Sequence, residues 1–302
     1  MIVPPTEENL ARAAELIKQG KLVAFPTETV YGLGANALDA EAVARIYEAK
    51  ERPRASPLIV HVSDEAMARS IVADWPQMAQ KLAARFWPGP LTLVLRKAPV
   101  ISDLVTAGLD SVGVRMPAQS IAIELIRRAG VPIAAPSANR FTQISPTTAE
   151  HVQAGLSDRV DLILDGGPTQ VGIESTVASL RRIPPVVLRP GMITQEDLEA
   201  VTGIAWDREM GVPQIQESPG LHPRHYAPRT PFYVLAQGAP KPAGRGYIIP
   251  MPAERSQYAA RLYAELHKAD AEGWDWIGVE APPESPEWVG ILDRLMRASR
   301  AG

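Results

Sequence analysis

The first apolar residues fall at Leu10, Ala13, Ala14 and Ile17, the three-and-four spacing of one helix face. Thr6 stands ahead of them as a cap, Glu7 and Glu8 occupy the first turn, and Gly20 closes the pattern. "KLVAF" then reads as a short buried strand. "PTETVYGLGANALD" reads as a loop because it is rich in Gly, Thr and Pro. Asp39 caps the next helix. The apolar runs "PLIVHV", "LTLVLRK", "SVGVRMP", "PIAAPSAN", "VDLILDGG", "STVASL" and "PPVVLRPG" read as strands. Two helices broken near Trp75-Pro76 fill 64 to 86, and others lie at 119 to 130, in "TTAEHVQAGL" and in "TQEDLEAVTG". Some neighbouring strands have no helix between them, which predicts a mixed sheet.

Periodicity fades between 203 and 230. "GVPQIQESPGLHPRHYAPRTP" is dense in Pro, Gly and His, and a run of that length is a linker or a functional loop. "PFYVL", "GYIIP", a helix near 252 to 272, "WDWIGVE" and a helix from about Ser285 follow. They predict a second α/β unit of about 70 residues, small enough that it should dock on the first. The expected division is a large domain at 1–203, a linker at 204–230 and a small domain at 231–302.

The 302-residue length accommodates that division, and 46% hydrophobic with 22% charged residues suits a globular protein. A net charge of −3 gives no chain-wide basic field for nucleic acid or anionic membrane, so any anion site is local. The absence of cysteine removes thiol nucleophiles, disulfides and thiolate metal sites. "MIVPPTEENL" lacks the basic start and apolar run of a signal peptide. No apolar stretch approaches the roughly 20 residues that span a bilayer. A cytoplasmic enzyme or binding protein is expected, with no membrane partner.

Against this acidic background, "KERPRASPLIVH" gathers Lys50, Arg52 and Arg54 around Pro53, with Arg45 upstream. A strand entrance needs the turn residue but not the cations. The loop, expected at the surface, is either a solvated rim or the seat of an anion. Standard nucleotide signatures are absent: there is no G-x-x-x-x-G-K-[ST], and "YGLGAN" is not G-x-G-x-x-G. His222 and His225 lack a neighbouring carboxylate ligand, so no metal site is expected. Further polar loops sit at strand ends. Thr27 and Thr29 suit a small polar substrate or a capping turn. Ser137, Asn139 and Ser145 suit an anion nest or Asx-turn chemistry. Ser175 and Thr176 follow a glycine-rich turn that a plain hairpin also explains. Arg189, before a Pro-Gly turn, is a rim residue or a bidentate clamp. Ligand sites in α/β proteins gather at the carboxyl ends of strands. Cations and hydroxyls without a triad suit phosphate binding better than acyl-enzyme chemistry.

The ordered runs "PTETVYGLGANA", "IYEAKERPRASPLIVHV", "FWPGPLTLVL", "VGVRMP", "PIAAPSANRFTQISPT", "LILDGGPTQVGIESTV" and "VLRPGMIT" resemble the YrdC-like domain of the threonylcarbamoyl-AMP synthase family across nearly all of residues 5 to 200. "SPGLHPRHYAPRTP" resembles the linker of the two-domain form. The resemblance implies an α/β fold: a YrdC-like domain with a twisted mixed sheet and surrounding helices, plus a small C-terminal α/β domain. It implies formation of threonylcarbamoyl-adenylate and pyrophosphate from L-threonine, bicarbonate and ATP, with Mg²⁺ accompanying the ATP. The product would pass to downstream enzymes that transfer threonylcarbamoyl to tRNA. Lys50 and Arg52 take the place of the family's catalytic pair. Thr29, His61, Arg115, Ser175 and the backbone at Ala135 would hold threonine. Lys50, Arg52, Ser56, Ser111, Ser137, Asn139, Ser145, Arg189, His225 and Tyr226 would hold ATP, the last two as a lid from the linker. The chain departs from the family pattern at Ser56, where asparagine is usual, and at Phe141-Thr142, where Ser-Gly is usual. An RNA-binding module is the rival reading, disfavoured by the net charge and by the lack of aromatic–basic interleaving. A hydrogenase-maturation carbamoyltransferase is a second rival, but it would carry a cysteine zinc finger.

Overall fold

A computed structural model of the chain describes residues 1–208, 225–236 and 238–299. Eleven strands form one sheet: β1 (Ile2–Val3), β2 (Val23–Pro26), β3 (Tyr31–Asn36), β4 (Ile59–His61), β5 (Leu91–Arg96), β6 (Ser111–Arg115), β7 (Ile133–Ala134), β8 (Leu162–Leu164), β9 (Thr176–Ser179), β10 (Val186–Arg189) and β11 (Asp207–Arg208). Their order is β1-β8-β2-β3-β7-β4-β6-β5-β9-β10-β11. Parallel pairs such as β4–β6 sit beside antiparallel ones such as β2–β3, so the sheet is mixed, as the missing crossovers predict. Helices α1 (Glu7–Lys18), α2 (Ala40–Lys50), α3 (Glu65–Ser70), α4 (Gln77–Phe86), α5 (Asp103–Thr106), α6 (Ser120–Ala129), α7 (Ala149–Leu156) and α8 (Gln195–Thr202) surround it.

Local chemistry places these elements. Thr6 Oγ1 accepts the Asn9 N–H at 3.3 Å and starts α1, which buries Leu10, Ala13, Ala14 and Ile17 beside α6. Burying a Leu or Ile side chain is worth about 1.5–3 kcal/mol, so this face decides how α1 lies. Asp39 Oδ1 accepts the N–H groups of Glu41 and Ala42 and starts α2. One expectation fails: "PTETVYGLGANALD" is not all loop, because Tyr31–Asn36 is strand β3. Tyr31, Leu33 and Ala35 alternate into the core. The glycines between them answer a close approach, since a side chain at Gly34 would overlap the Phe25 ring and Ile133. Tertiary packing here overrides the weak strand propensity of glycine.

The small unit has a three-stranded parallel sheet, ordered β12 (Phe232–Leu235), β14 (Trp276–Glu280), β13 (Gly246–Ile248). Helices α9 (Arg255–Ala271) and α10 (Val289–Ala298) pack on it. Its core is not closed on itself. Val30, Ile144 and Ile173 of the large unit join Leu262, Tyr263, Leu266 and Ile291 in one buried cluster. The docking expected from its size is therefore a shared core. Among the described residues no helix is long and apolar enough to cross a membrane.

The seam is tight at Gly172, where φ is +80° and an added methyl would overlap the Ala259 carbonyl of α9. Gly172→Ala should cost about 1–3 kcal/mol through overpacking and left-handed strain, read as a lowered Tm of the full chain. An unchanged Tm would mean that the seam is loose.

Candidate active site

The predicted polar loops converge on one cavity. Thr27 and Thr29 follow β2, His61 ends β4, Arg115 ends β6, Ala135 and Ser137 follow β7, and Arg189 ends β10. Ser175 enters from the start of β9, and His225 and Tyr226 from the linker. Its free volume is about 50 Å³, far below the roughly 300–1,000 Å³ of ordinary ligand pockets.

The basic loop is not the exposed rim expected of it. Arg45 and Arg54 are exposed, but Lys50 and Arg52 are buried. Lys50 is the last residue of α2, and the left-handed Glu51 (φ 54°) turns the chain sharply after it. The Lys50 ammonium donates to the carbonyls of Ser137, at 2.5 Å, and Asn139. Burial, then the charge of Arg52, holds its pKa well below the usual lysine value. Arg52 donates to Ser56 Oγ and, at 3.1 Å, to the Pro57 carbonyl; burial pulls its pKa down to about 10.

At the other end, β4 and β6 place His61 beside Arg115 in register. Arg115 Nη1 donates to Thr29 Oγ1 at 3.0 Å, and Thr29 Oγ1 lies 2.8 Å from Thr27 Oγ1. Arg115 Nη2 is 2.7 Å from Glu28 Oε1, an ion-pair distance at an angle that makes no hydrogen bond. Burial, then Arg115, presses the His61 pKa down to about 3, so the imidazole is neutral. Arg189 donates through Nε (3.1 Å) and Nη2 (3.0 Å) to the Ser175 carbonyl, and Ser175 Oγ lies 2.8 Å from Thr92 Oγ1.

Among the described residues, Lys50, Arg52, Arg115, Arg189 and Arg294 are buried cations, whereas Glu28 and Glu174 are the buried carboxylates. Such an excess is costly unless anions offset it. His225 and Tyr226 form part of the wall of this cavity. Tyr226 is fully buried at φ 62°, a backbone strain of about 1–3 kcal/mol for a non-glycine residue. It stacks on Tyr263 at 5.7 Å with the Arg294 guanidinium over its ring at 5.3 Å.

Residues 15–191 match the Sua5–YciO–YrdC family model, described as "Telomere recombination", and residues 193–300 match a model described as "Threonylcarbamoyl-AMP synthase, C-terminal domain". The chain is 41% identical to the threonylcarbamoyl-AMP synthase of Bacillus subtilis, covering 97% of this chain and 93% of that one. It is 48% identical to that of Pyrococcus abyssi, covering 97% and 94%. The chain belongs to the threonylcarbamoyl-AMP synthase family. It superposes on P. abyssi Sua5 complexed with L-threonine with a TM-score of 0.91 and 38% identity, covering 99% of this chain and 97% of that one. The family is one of enzymes that make an AMP intermediate, a nucleotidyltransferase-type reaction in tRNA modification. The membership makes the chain one of a family of enzymes.

Of the residues expected in a threonylcarbamoyl-AMP synthase site, Thr29, Arg52, His61, Arg115, Ala135, Ser137, Ser175, Arg189, His225 and Tyr226 line the cavity. Lys50, Ser56 and Ser145 brace it through hydrogen bonds to Ser137, Arg52 and Glu174. Asn139 lines a neighbouring cleft with Arg140, Gln143 and His151, while its carbonyl holds Lys50. Ser111 does not reach the cavity: it opens β6 four residues before Arg115, roughly 13 Å away at about 3.3 Å per residue. His222 lies outside the described residues. Both departures from the family pattern meet at Arg52, which bonds Ser56 and stands 5.5 Å from the Phe141 ring centre. The sequence reading missed Glu28, Glu174 and Arg294. Arg294 had a visible signal: it falls in the buried α10 stripe Ile291, Arg294, Leu295, Ala298.

Two desolvated histidines, the buried His61 and the half-buried His267, contribute to a pH dependence. His61 is held to about 3 and His267, stacked on His151 at 3.9 Å, to about 4, burial being the larger cause in each. An unfolded imidazole titrates near 6.5. Below that pH the unfolded chain binds more protons than the folded one, so stability falls as pH drops from about 6.5 toward 4, by up to about 1.4 kcal/mol per unit for each histidine. Melting curves from pH 7.5 to 5 should show this decline, and His267→Gln should make it shallower while His61 keeps part of it. A flat wild-type profile would contradict neutral imidazoles.

Proposed function

We propose that the cavity binds L-threonine at its Arg115 end and the ATP triphosphate at its Lys50–Arg52 end, and joins them as threonylcarbamoyl-adenylate. The observation that carries this reading is the excess of buried cations around a polar cavity at strand ends. Arg115, with Thr29 beside it, suits the threonine carboxylate. The neutral His61, Ser175 and the backbone at Ala135 supply polar contacts for the remainder. The threonine complex of the P. abyssi relative supports this half.

Chemically, the threonine amine and bicarbonate give a carbamate with loss of water. A carbamate oxygen then attacks the α-phosphorus, and pyrophosphate leaves with the electron pair of the broken P–O bond. No protein nucleophile is required. Lys50 and Arg52 stand ready for charge growing on the leaving oxygens, and Arg189, Ser137, Asn139, Ser56 and Ser145 position the nucleotide. Ser111 fits this set only if the nucleotide extends along β6. Mg²⁺ supplies charge neutralisation between phosphates when bound. Glu174, the carboxylate on the cavity wall, is engaged by Ser145, Tyr263 and Arg294, so the phosphate oxygens would be the main Mg²⁺ ligands.

The division at 1–203, 204–230 and 231–302 gives the linker residues a role in this scheme. His225 and Tyr226 narrow the cavity and must shift to admit both substrates. Closing again, they would exclude water from a labile carbamate and adenylate. The product would pass in the cytoplasm to enzymes that transfer threonylcarbamoyl to tRNA, with no stable nucleic-acid complex at this chain.

Incubation with ATP, bicarbonate and labelled threonine should yield pyrophosphate and the labelled adenylate. Lys50→Ala and Arg52→Ala should each slow this by about ten- to a hundredfold, the loss of a charge-assisted contact of about 1.5–3 kcal/mol. Because both residues are buried, Tm should fall as well. Near-normal synthesis by both variants would overturn the phosphate assignment. Serine should be used better than valine, because a site that pairs the substrate hydroxyl leaves polar groups unpaired against valine. Equal turnover of the two would overturn the threonine assignment.

A further inference from the structure

The small unit puts a charged side chain into the large one. Arg294 of α10 is completely buried, and its Nε donates to Glu174 Oε2 at 2.7 Å. Its Nη2 donates to the Glu174 carbonyl at 3.3 Å, and Tyr263 Oη of α9 donates to the same Oε2 at 3.1 Å. The other carboxylate oxygen, Oε1, accepts Ser145 Oγ at 2.5 Å. His267 of α9 also bonds the Ser145 carbonyl at 3.1 Å. Glu174 lies on the cavity wall with Arg52, Arg189 and His225.

We propose that Arg294 is a positioning residue for the nucleotide. It engages the Glu174 carboxylate so that Glu174 fixes Ser145 and does not compete with the triphosphate for the cavity's cations. The proposal rests on the assignment of Lys50, Arg52, Ser145 and Arg189 to the nucleotide. An unpartnered buried carboxylate is costly and pairs with whatever cation is within reach. Arg52 and Arg189 share its cavity, and an attached anion competes at a high effective concentration. Glu174 is ionised in the folded chain: burial would raise its pKa, but Arg294 and then Arg189 hold it below the usual carboxylate value. Removing Arg294 therefore frees a negative charge beside the site that must receive phosphates. A simple brace predicts something different, because losing a brace loosens the seam without selecting one substrate.

The test uses the full-length chain with ATP and threonine varied separately, together with Tm. Arg294→Met should raise KM for ATP at least tenfold, with KM for threonine changed less than threefold. Adding Glu174→Gln should recover most of the ATP KM, because a neutral amide cannot pair with the cations. Arg294→Lys, which keeps the charge and loses the fork, should fall between wild type and Arg294→Met with a Tm near wild type; it stands in if Arg294→Met does not fold. The proposal is overturned if the double variant binds ATP no better than Arg294→Met. It is also overturned if both KM values rise together in step with lost Tm, or if Arg294→Lys matches wild type in ATP KM while the double variant shows no recovery. Lys50→Ala and Ser145→Ala separate the two levels. If neither raises the ATP KM, the nucleotide assignment itself fails, whatever the Arg294 variants do.

Discussion

A carboxylate with almost no solvent around it, Glu174, joins three stretches of chain far apart in sequence. Ser145 reaches it from the loop after β7, and Tyr263 and Arg294 reach it from the small unit. Without these donors the carboxylate would be an uncompensated buried charge, and removing one partner of such a pair costs about 3–5 kcal/mol. The same interaction holds the substrate-facing loops and the domain seam in one geometry. Tyr226 extends the arrangement, because its ring stacks on Tyr263 and carries the Arg294 guanidinium over it. Tyr226 is thus held at the ion pair, and these contacts offset the strain of its left-handed backbone.

The electrostatics have a second centre at the end of α2. Lys50 and Arg52 emerge where a helix ends and a left-handed residue reverses the chain, so both side chains turn inward. Two main-chain carbonyls hold the ammonium in place of water. Burial, and then the charge of Arg52, depress its pKa even so. This preorganisation means that little rearrangement is needed when an anion arrives.

Much of this was legible in the sequence because it is local. The α1 stripe, the Thr6 and Asp39 caps and the strand-end loops depend on residues a few positions apart. Strand β3 was hidden because its glycines make sense only once Phe25 and Ile133 are seen pressing on them. The burial of Lys50 and Arg52 was hidden because a charged loop beside a proline looks the same whether it faces water or a cavity. Glu174 stands next to Ser175 in a stretch already marked for chemistry, yet its partners come from Ser145, about thirty positions upstream, and from beyond residue 260. Only the arginine in the apolar stripe of α10 hinted at a buried charge, and nothing in the sequence named its counterpart.

The shared core around Val30, Ile144 and Ile173 bears on how such a chain can change over time. A tail whose hydrophobic residues complete another unit's interior cannot be shed by simple deletion. The uncovered surface would be sticky, and Glu174 would lose both of its small-unit donors at once. A viable shorter chain would need polar replacements at the three apolar positions and a neutral residue at 174 in the same lineage. The reverse step, acquiring the tail, would reward those positions for turning apolar one at a time, so the two-unit arrangement is easier to enter than to leave.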